Sequence, residues 1–156
     1  MASEKLPVEW GSAALSETMR QASYSLKIRT QGKGLTDITE NVEAQVRDSG
    51  IANGLATLFC RHTSASLLIQ ENASPAAHRD IAAFFERIAP ESTAYEHDEE
   101  GSDDMPAHLR TALTQTQLTI PLVDGRLVLG RWQGIFLFEH RSAPHERQMV
   151  LHLLGD

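Results

Sequence analysis

Tyr24, Leu26 and Ile28 alternate with Ser25, Lys27 and Arg29, the period of a half-buried strand. Gly32 and Gly34 break it. Ile38, Val42 and Val46 then repeat every four residues, giving one apolar stripe of a helix that Thr36 or Asp37 caps and that runs to Asp48. Asp37 and Glu40 have capping-box spacing, and Gly50 falls just past the end. Leu55 to Cys60 is an apolar run that predicts a buried strand, and Leu67 to Ile69 is a second apolar run. Ser74 and Pro75 open a second helix, with Ala77, Ile81, Phe84, Phe85 and Ile88 on one face and Pro90 ending it. Pro106, at a first helical position, opens a short helix over Ala107 to Leu113. Leu118, Ile120 and Leu122 alternate as a strand, and Pro121 marks an edge or a bulge. Asp124-Gly125 is a type I′ hairpin signal between LTIPLV and RLVL. GRWQG, Gly130 to Gly134, makes a tight connection before a strand from Ile135 to Phe138, and a last strand covers Met149 to Leu154. Strands dominate both ends and helices the middle, which predicts an α+β fold with a largely antiparallel sheet. Residues 1–20 show no period and read as an N-terminal extension to a single domain, 21–156.

Composition adds two exclusions. With 14 basic and 21 acidic side chains the formal charge is −7, the wrong balance for a nonspecific grip on nucleic acid. No apolar stretch approaches the roughly 20 residues of a membrane span, and no secretory signal opens the chain. The expected location is the cytoplasm. Cys60 is the only cysteine, so no internal disulfide forms, and its apolar run predicts a buried thiol.

Candidate chemistry gathers around an acidic stretch. From Glu96 to Asp104, six of nine residues are acidic, with His97 inside and His108 just beyond. Acidic runs are usually solvated loops, but imidazoles suit metal binding and proton transfer near neutral pH. His62, His97 and His108 all fall beside turns or at element starts. Together they are a candidate three-imidazole metal site with an open position, although no spacing rule links them. Asp98, Glu99, Asp103 and Asp104 are candidate ligands for Mg²⁺. Thr63, Ser64 and Ser66 offer hydroxyls to phosphate oxygens, or ordinary turn caps. Glu71 is a candidate general base. Trp132 and Gln133 occupy the glycine-flanked turn, and Glu139 and Arg141 follow an apolar strand, where they pair or face a cleft. His78, His145 and His152 read as structural. There is no P-loop, GxGxxG or GxSxG.

Four segments in order resemble one family. HTSASL from His62, QEN ending at Asn72, HDEEGSDDMPAHL from His97, and VDGRLVLGRWQGIFLFEHR from Val123 are similar to the YjbQ-like family, described as secondary thiamine-phosphate synthase-like proteins. Arg61 stands where many relatives have proline. The resemblance implies an antiparallel sheet curved into a half-barrel with helices on one side, and a homotrimer. It also implies a weak thiamine-phosphate synthase activity, joining a pyrimidine methyl diphosphate to a thiazole phosphate with release of pyrophosphate. On that reading Glu71, Asp98, Gln133 and Glu139 are catalytic candidates. Thr63, Ser64, Ser66, Arg131 and Arg141 would hold phosphorylated substrate, and His62, His97 and His108 a divalent Zn or Mg ion. The alternative is a noncatalytic trimer that binds metal or a phosphate ligand.

Overall fold

The computed structural model describes residues 18–92 and 94–156. Its elements follow the order β1 (Arg20–Arg29), β2 (Gly34–Asp37), α1 (Thr39–Ser49), β3 (Gly54–Cys60), β4 (Ala65–Glu71), α2 (Pro75–Ile88), α3 (Asp104–Leu113), β5 (Gln117–Val123), β6 (Arg126–Leu127), β7 (Gln133–Glu139) and β8 (Glu146–Gly155). Five strands pair in the order β1-β8-β3-β5-β6 and three in the order β2-β7-β4, every pair antiparallel. A bridge between Leu67 and Gln115 joins the two sets, and the whole curls into a half-barrel with three helices. The reading of residues 1–20 as an extension lies outside the described residues up to position 17, and Arg20 already pairs with Gly155 in β1.

The alternation in the sequence sets the layers. Ala56, Leu58 and Cys60 of β3, Leu118, Ile120 and Leu122 of β5, and Met149, Leu151 and Leu153 of β8 point into one core. The stripe Ile38, Val42 and Val46 packs against it at 1–2% exposure, removing apolar surface from water at roughly 25 cal/mol per Å². β7 is covered on both faces, so its burial is continuous rather than alternating. Ile135 and Leu137 join the core, while Phe136 and Phe138 face His78 and Phe85 of α2 in edge-on ring contacts.

Four local expectations shift. β2 is a strand where only glycine breaks were read, and it pairs with β7 through Asp37 and Phe136. The N-cap of α1 is Ile38, not Thr36 or Asp37. Asp37 Oδ1 instead accepts the Thr39 N–H at 2.9 Å from one residue upstream. α3 begins at Asp104, so Pro106 is its third residue, still in the first turn where a missing N–H costs nothing. On α2 only Phe85 is buried; Phe84 and Ile88 are 47% and 45% exposed. The hairpin is as expected, with Asp124 at φ 51° and Gly125 at φ 71°. So is the left-handed Gly50 that closes α1.

Candidate metal centre at the start of helix α3

The acidic stretch is clamped. Arg141, just beyond β7, donates from Nε to Asp103 Oδ2 (3.2 Å), from one terminal nitrogen to Asp104 Oδ1 (2.5 Å) and from the other to the Glu100 carbonyl (2.8 Å). The Ser142 N–H donates to Asp103 Oδ2 at 2.8 Å. Burial raises the Asp103 carboxyl, but the Ser142 N–H and Arg141 outweigh it and hold the group below the usual carboxylate range. The Asp104 N–H closes the turn onto Gly101, which sits at φ 106°, a left-handed position that favours glycine.

Asp104 is 1% exposed. With Oδ1 held by Arg141, its Oδ2 faces His97 Nε2 at 2.9 Å and His108 Nε2 at 3.3 Å. Asp104 and His108 are four residues apart on α3, hence on one helical face. One ligand atom from each of His97, Asp104 and His108 lies within 4.8 Å of the others, and the two rings stand 5.4 Å apart. His108 Nδ1 donates to the Thr63 carbonyl at 2.9 Å. A carbonyl only accepts, so the neutral ring carries its proton on Nδ1 and its lone pair on Nε2, aimed at the carboxylate. His97 Nε2 and Asp104 Oδ2 form a hydrogen-bonded pair, while the His108 lone pair faces the same oxygen at 3.3 Å, an arrangement that a cation would bridge. The donor set fits a divalent metal: two histidines and one carboxylate leave open positions, and two of the three have an outer partner that fixes them, the Thr63 carbonyl for His108 and Arg141 for Asp104. A cavity of about 210 Å³ adjoins His97, lined by Glu91, Tyr95, Asp98, Ser102 and Met105.

His62 does not join the pair. Its Nε2 accepts the Gln148 N–H at 2.7 Å, and Nδ1 faces the Arg147 guanidinium at 3.5 Å. Burial, then the Arg147 charge, lowers its pKa, favouring the neutral ring that this bond requires. The third member of the cluster is thus a carboxylate, Asp104, rather than a third imidazole. Nor do the other candidates assemble. Glu71 accepts the Ala73 and Ser74 N–H groups ahead of α2. Gln133 Oε1 accepts the Gly130 N–H at 2.8 Å within its turn. Glu139 is fully buried and paired with Arg147. Ser66 Oγ bonds His140 Nε2 at 2.8 Å, and the Ser64 carbonyl accepts from Arg147. Arg131 lies over the Trp132 ring at 4.8 Å, and Arg141 is spent on the aspartates. Among the candidates, Asp98 stands on the cavity wall with His97, the Thr63 carbonyl on His108, and Arg141 on Asp104. Sequence reading placed Asp104 in a loop of interchangeable acids. The signal for it was the four-residue spacing to His108, visible only once the helix starts at Asp104.

A family model described as UPF0047 protein YjbQ-like matches residues 24–156. The chain belongs to the YjbQ-like family. It is 52% identical over 140 residues to the UPF0047 protein sll1880 of Synechocystis, covering 89% of this chain and 95% of that one. It is 38% identical over 133 residues to UPF0047 protein YjbQ of Escherichia coli O157:H7, covering 85% and 96%. Among solved structures it superposes on a YbjQ-like protein of unknown function from Sulfolobus solfataricus with TM-score 0.79 at 28% identity, covering 88% and 100%. A YjbQ/UPF0047 family protein from Clostridium acetobutylicum gives TM-score 0.74 at 35% identity, covering 85% and 98%. The match takes in every element described above from Tyr24 on, including the His97–His108 segment.

Proposed function

We infer that this YjbQ-like chain binds a divalent metal through His97, Asp104 and His108 and presents it to a small molecule. The observation that carries this is the convergence of three ligand atoms within 4.8 Å around a carboxylate that is 1% exposed. A divalent ion there would supply a Lewis acid to an oxygen of the bound molecule. The chain's own part is to hold the two lone pairs in place, through the Thr63 carbonyl and Arg141, and to shape the neighbouring cavity. Weak thiamine-phosphate synthesis is compatible with the same centre, because a departing diphosphate needs cationic support. The hydroxyls and arginines proposed to grip phosphate are dispersed, so metal binding is the reading the geometry favours. The homotrimer and the cytoplasm belong to this proposal too. Leu55, Phe59 and Leu154 are 38–45% exposed on the outer face of adjacent strands β3 and β8, an apolar face that self-association would cover.

The test is calorimetric titration with Zn²⁺ and Mn²⁺ of wild type, His97→Ala, His108→Ala and the double variant. One ion per chain is expected, with each single change weakening it by roughly 10–100-fold and the double change far less than additive. No stoichiometric binding by folded wild type, or additive effects, would sink the reading. The same samples, with metal, assayed for thiamine phosphate decide the synthase arm.

A further inference from the structure

Away from the metal centre, α1 and the β5–β6 hairpin enclose a hollow of about 410 Å³, within the roughly 300–1,000 Å³ of small-molecule sites. It shares no lining residue with the cavity beside His97. Its floor is apolar, made by Val46 and Leu127 at 1% and 8% exposure. Each wall brings one charge of each sign. Glu43 and Arg47, four residues apart, project from one face of α1. Asp124 and Arg126 flank Gly125 at the hairpin tip.

Both walls are fastened before anything binds. On α1, Val42 and Val46 are held in the core, and Arg20 ties the helix end by donating to the Ser49 and Gly50 carbonyls at 2.9 and 3.1 Å. At the hairpin, the Gly125 N–H donates to the Ala52 carbonyl at 2.8 Å and the Asp124 N–H to Asn53 Oδ1 at 3.3 Å. Asn53 is itself held by the Asp156 carboxylate. Walls set in advance lower the cost of binding. The charges, by contrast, are unspent. Among the described residues, the Glu43, Asp124 and Arg126 side chains form no hydrogen bond or ion pair, and Arg47 pairs with Glu40 of its own helix rather than across the hollow.

The mixture of signs selects the ligand. A simple anion meets Glu43 and Asp124, and a simple cation meets Arg47 and Arg126. A molecule that carries both charges close together satisfies both sets, and the apolar floor asks for an apolar part beside them. We propose that this hollow binds a free α-amino acid with an apolar side chain, of the size of leucine. Its carboxylate takes the Arg126 guanidinium as a bidentate partner. Its ammonium donates to Glu43 and Asp124, and its side chain covers Val46 and Leu127. No metal takes part in this site.

The test is calorimetric titration of the full, metal-free chain with L-leucine. Saturable binding at one site per chain is expected. Isocaproate, which lacks the ammonium, and isopentylamine, which lacks the carboxylate, are each expected to bind roughly tenfold or more weakly. L-Alanine, which keeps both charges and loses the contact with the floor, is expected to be weaker by roughly tenfold or more. Arg126→Gln, and Glu43→Gln joined with Asp124→Asn, should each weaken leucine binding by roughly tenfold or more. Asparagine accepts the positive φ at position 124, and thermal melts check that each variant folds. His97→Ala is expected to bind leucine as wild type does, which separates this outcome from that of the metal titration. Absence of saturable binding by wild type would overturn the proposal. So would isocaproate or isopentylamine binding as well as leucine, alanine binding as well as leucine, unchanged affinity in the Arg126 and acid variants, or loss of binding in His97→Ala.

Discussion

His140 is a buried histidine with one satisfied nitrogen. Nε2 meets Ser66 Oγ, Nδ1 has no partner among the described residues, and the ring packs on Phe138 at 4.3 Å. Burial, then the nearby Arg110 charge, pushes its pKa down to about 3. The folded value is depressed below the unfolded value of about 6.5, so the unfolded chain takes up a proton first as pH falls. Its stabilising contribution is complete above about pH 6.5 and drains away as pH drops toward 3. Going from pH 7 to pH 5 is expected to cost about 2 kcal/mol through this one ring. Glu139 and Glu86, whose carboxyls are held below the usual range by Arg147 and Arg110 against the cost of burial, lose their contributions only at lower pH. Urea melts at pH 7 and pH 5 separate the two effects. His140→Gln should be less stable than wild type at pH 7 and lose about 2 kcal/mol less between the two pH values. An equal loss in both proteins would show that the buried ring does not govern acid stability. Nothing about HR at the end of FLFEHR announces this. Whether a histidine is buried depends on what α2 lays over it, which periodicity along β7 alone does not state.

At the scale of elements, α2 shows what an apolar stripe does and does not determine. Five apolar positions were assigned to one face, but the helix rests on β7 along a narrower line that includes Phe85 and excludes Phe84. Phe85 packs edge-on against Phe138 at 5.2 Å, whereas Phe84 touches Phe85 and carries Arg87 over its outer face. Adjacent residues on a helix point about 100° apart, so both cannot sit at the centre of one contact. Phe85→Ala is expected to cost about 3–5 kcal/mol, and Phe84→Ala less than about 1 kcal/mol, as an exposed site away from special features. Thermal melts of the two variants check this, and equal losses would return both rings to one buried face. The elements with long clean periods, such as α1, β3, β5 and β8, were legible to within a few residues. β2 was not, because it is four residues beside two positive-φ glycines and exists through its pairing with β7. The site was half legible for the same reason. His97 and His108 announce themselves by type and position, but Asp104, the third proposed ligand, depended on where α3 begins. His62 was misread because the use of its lone pair is settled by Gln148, 86 residues away.

Across the whole molecule, one ion pair ties the two sheets together and carries both outer supports of the proposed metal centre. Glu139 ends β7 in the three-stranded sheet, and Arg147 is the second residue of β8 in the five-stranded one. Arg147 grips both Glu139 oxygens, the bond from Nε being 2.7 Å, and reaches the Ser64 carbonyl at 3.2 Å. Glu139 also accepts from Thr30 Oγ1 at 2.8 Å and from the N–H groups of His140 and Arg141. On one side, then, Glu139 fixes the backbone of Arg141, which holds Asp104. On the other, Arg147 fixes Ser64, whose neighbour Thr63 orients His108. Both members of the pair are at most 3% exposed, and stripping one partner from a buried pair costs about 3–5 kcal/mol because the other charge is left unpaired. Arg147→Met is expected to lose that much in urea unfolding. Joining it with Glu139→Gln should recover a large part, since no full charge then remains buried without a partner. Metal affinity separates the structural role from the positioning one. With Thr63 and Arg141 less well held, the double variant should bind Zn²⁺ roughly tenfold more weakly than wild type, the order of effect seen for outer-shell changes, even though it keeps every ligand. Wild-type affinity in that folded variant would mean that the ion pair joins the sheets without tuning the site.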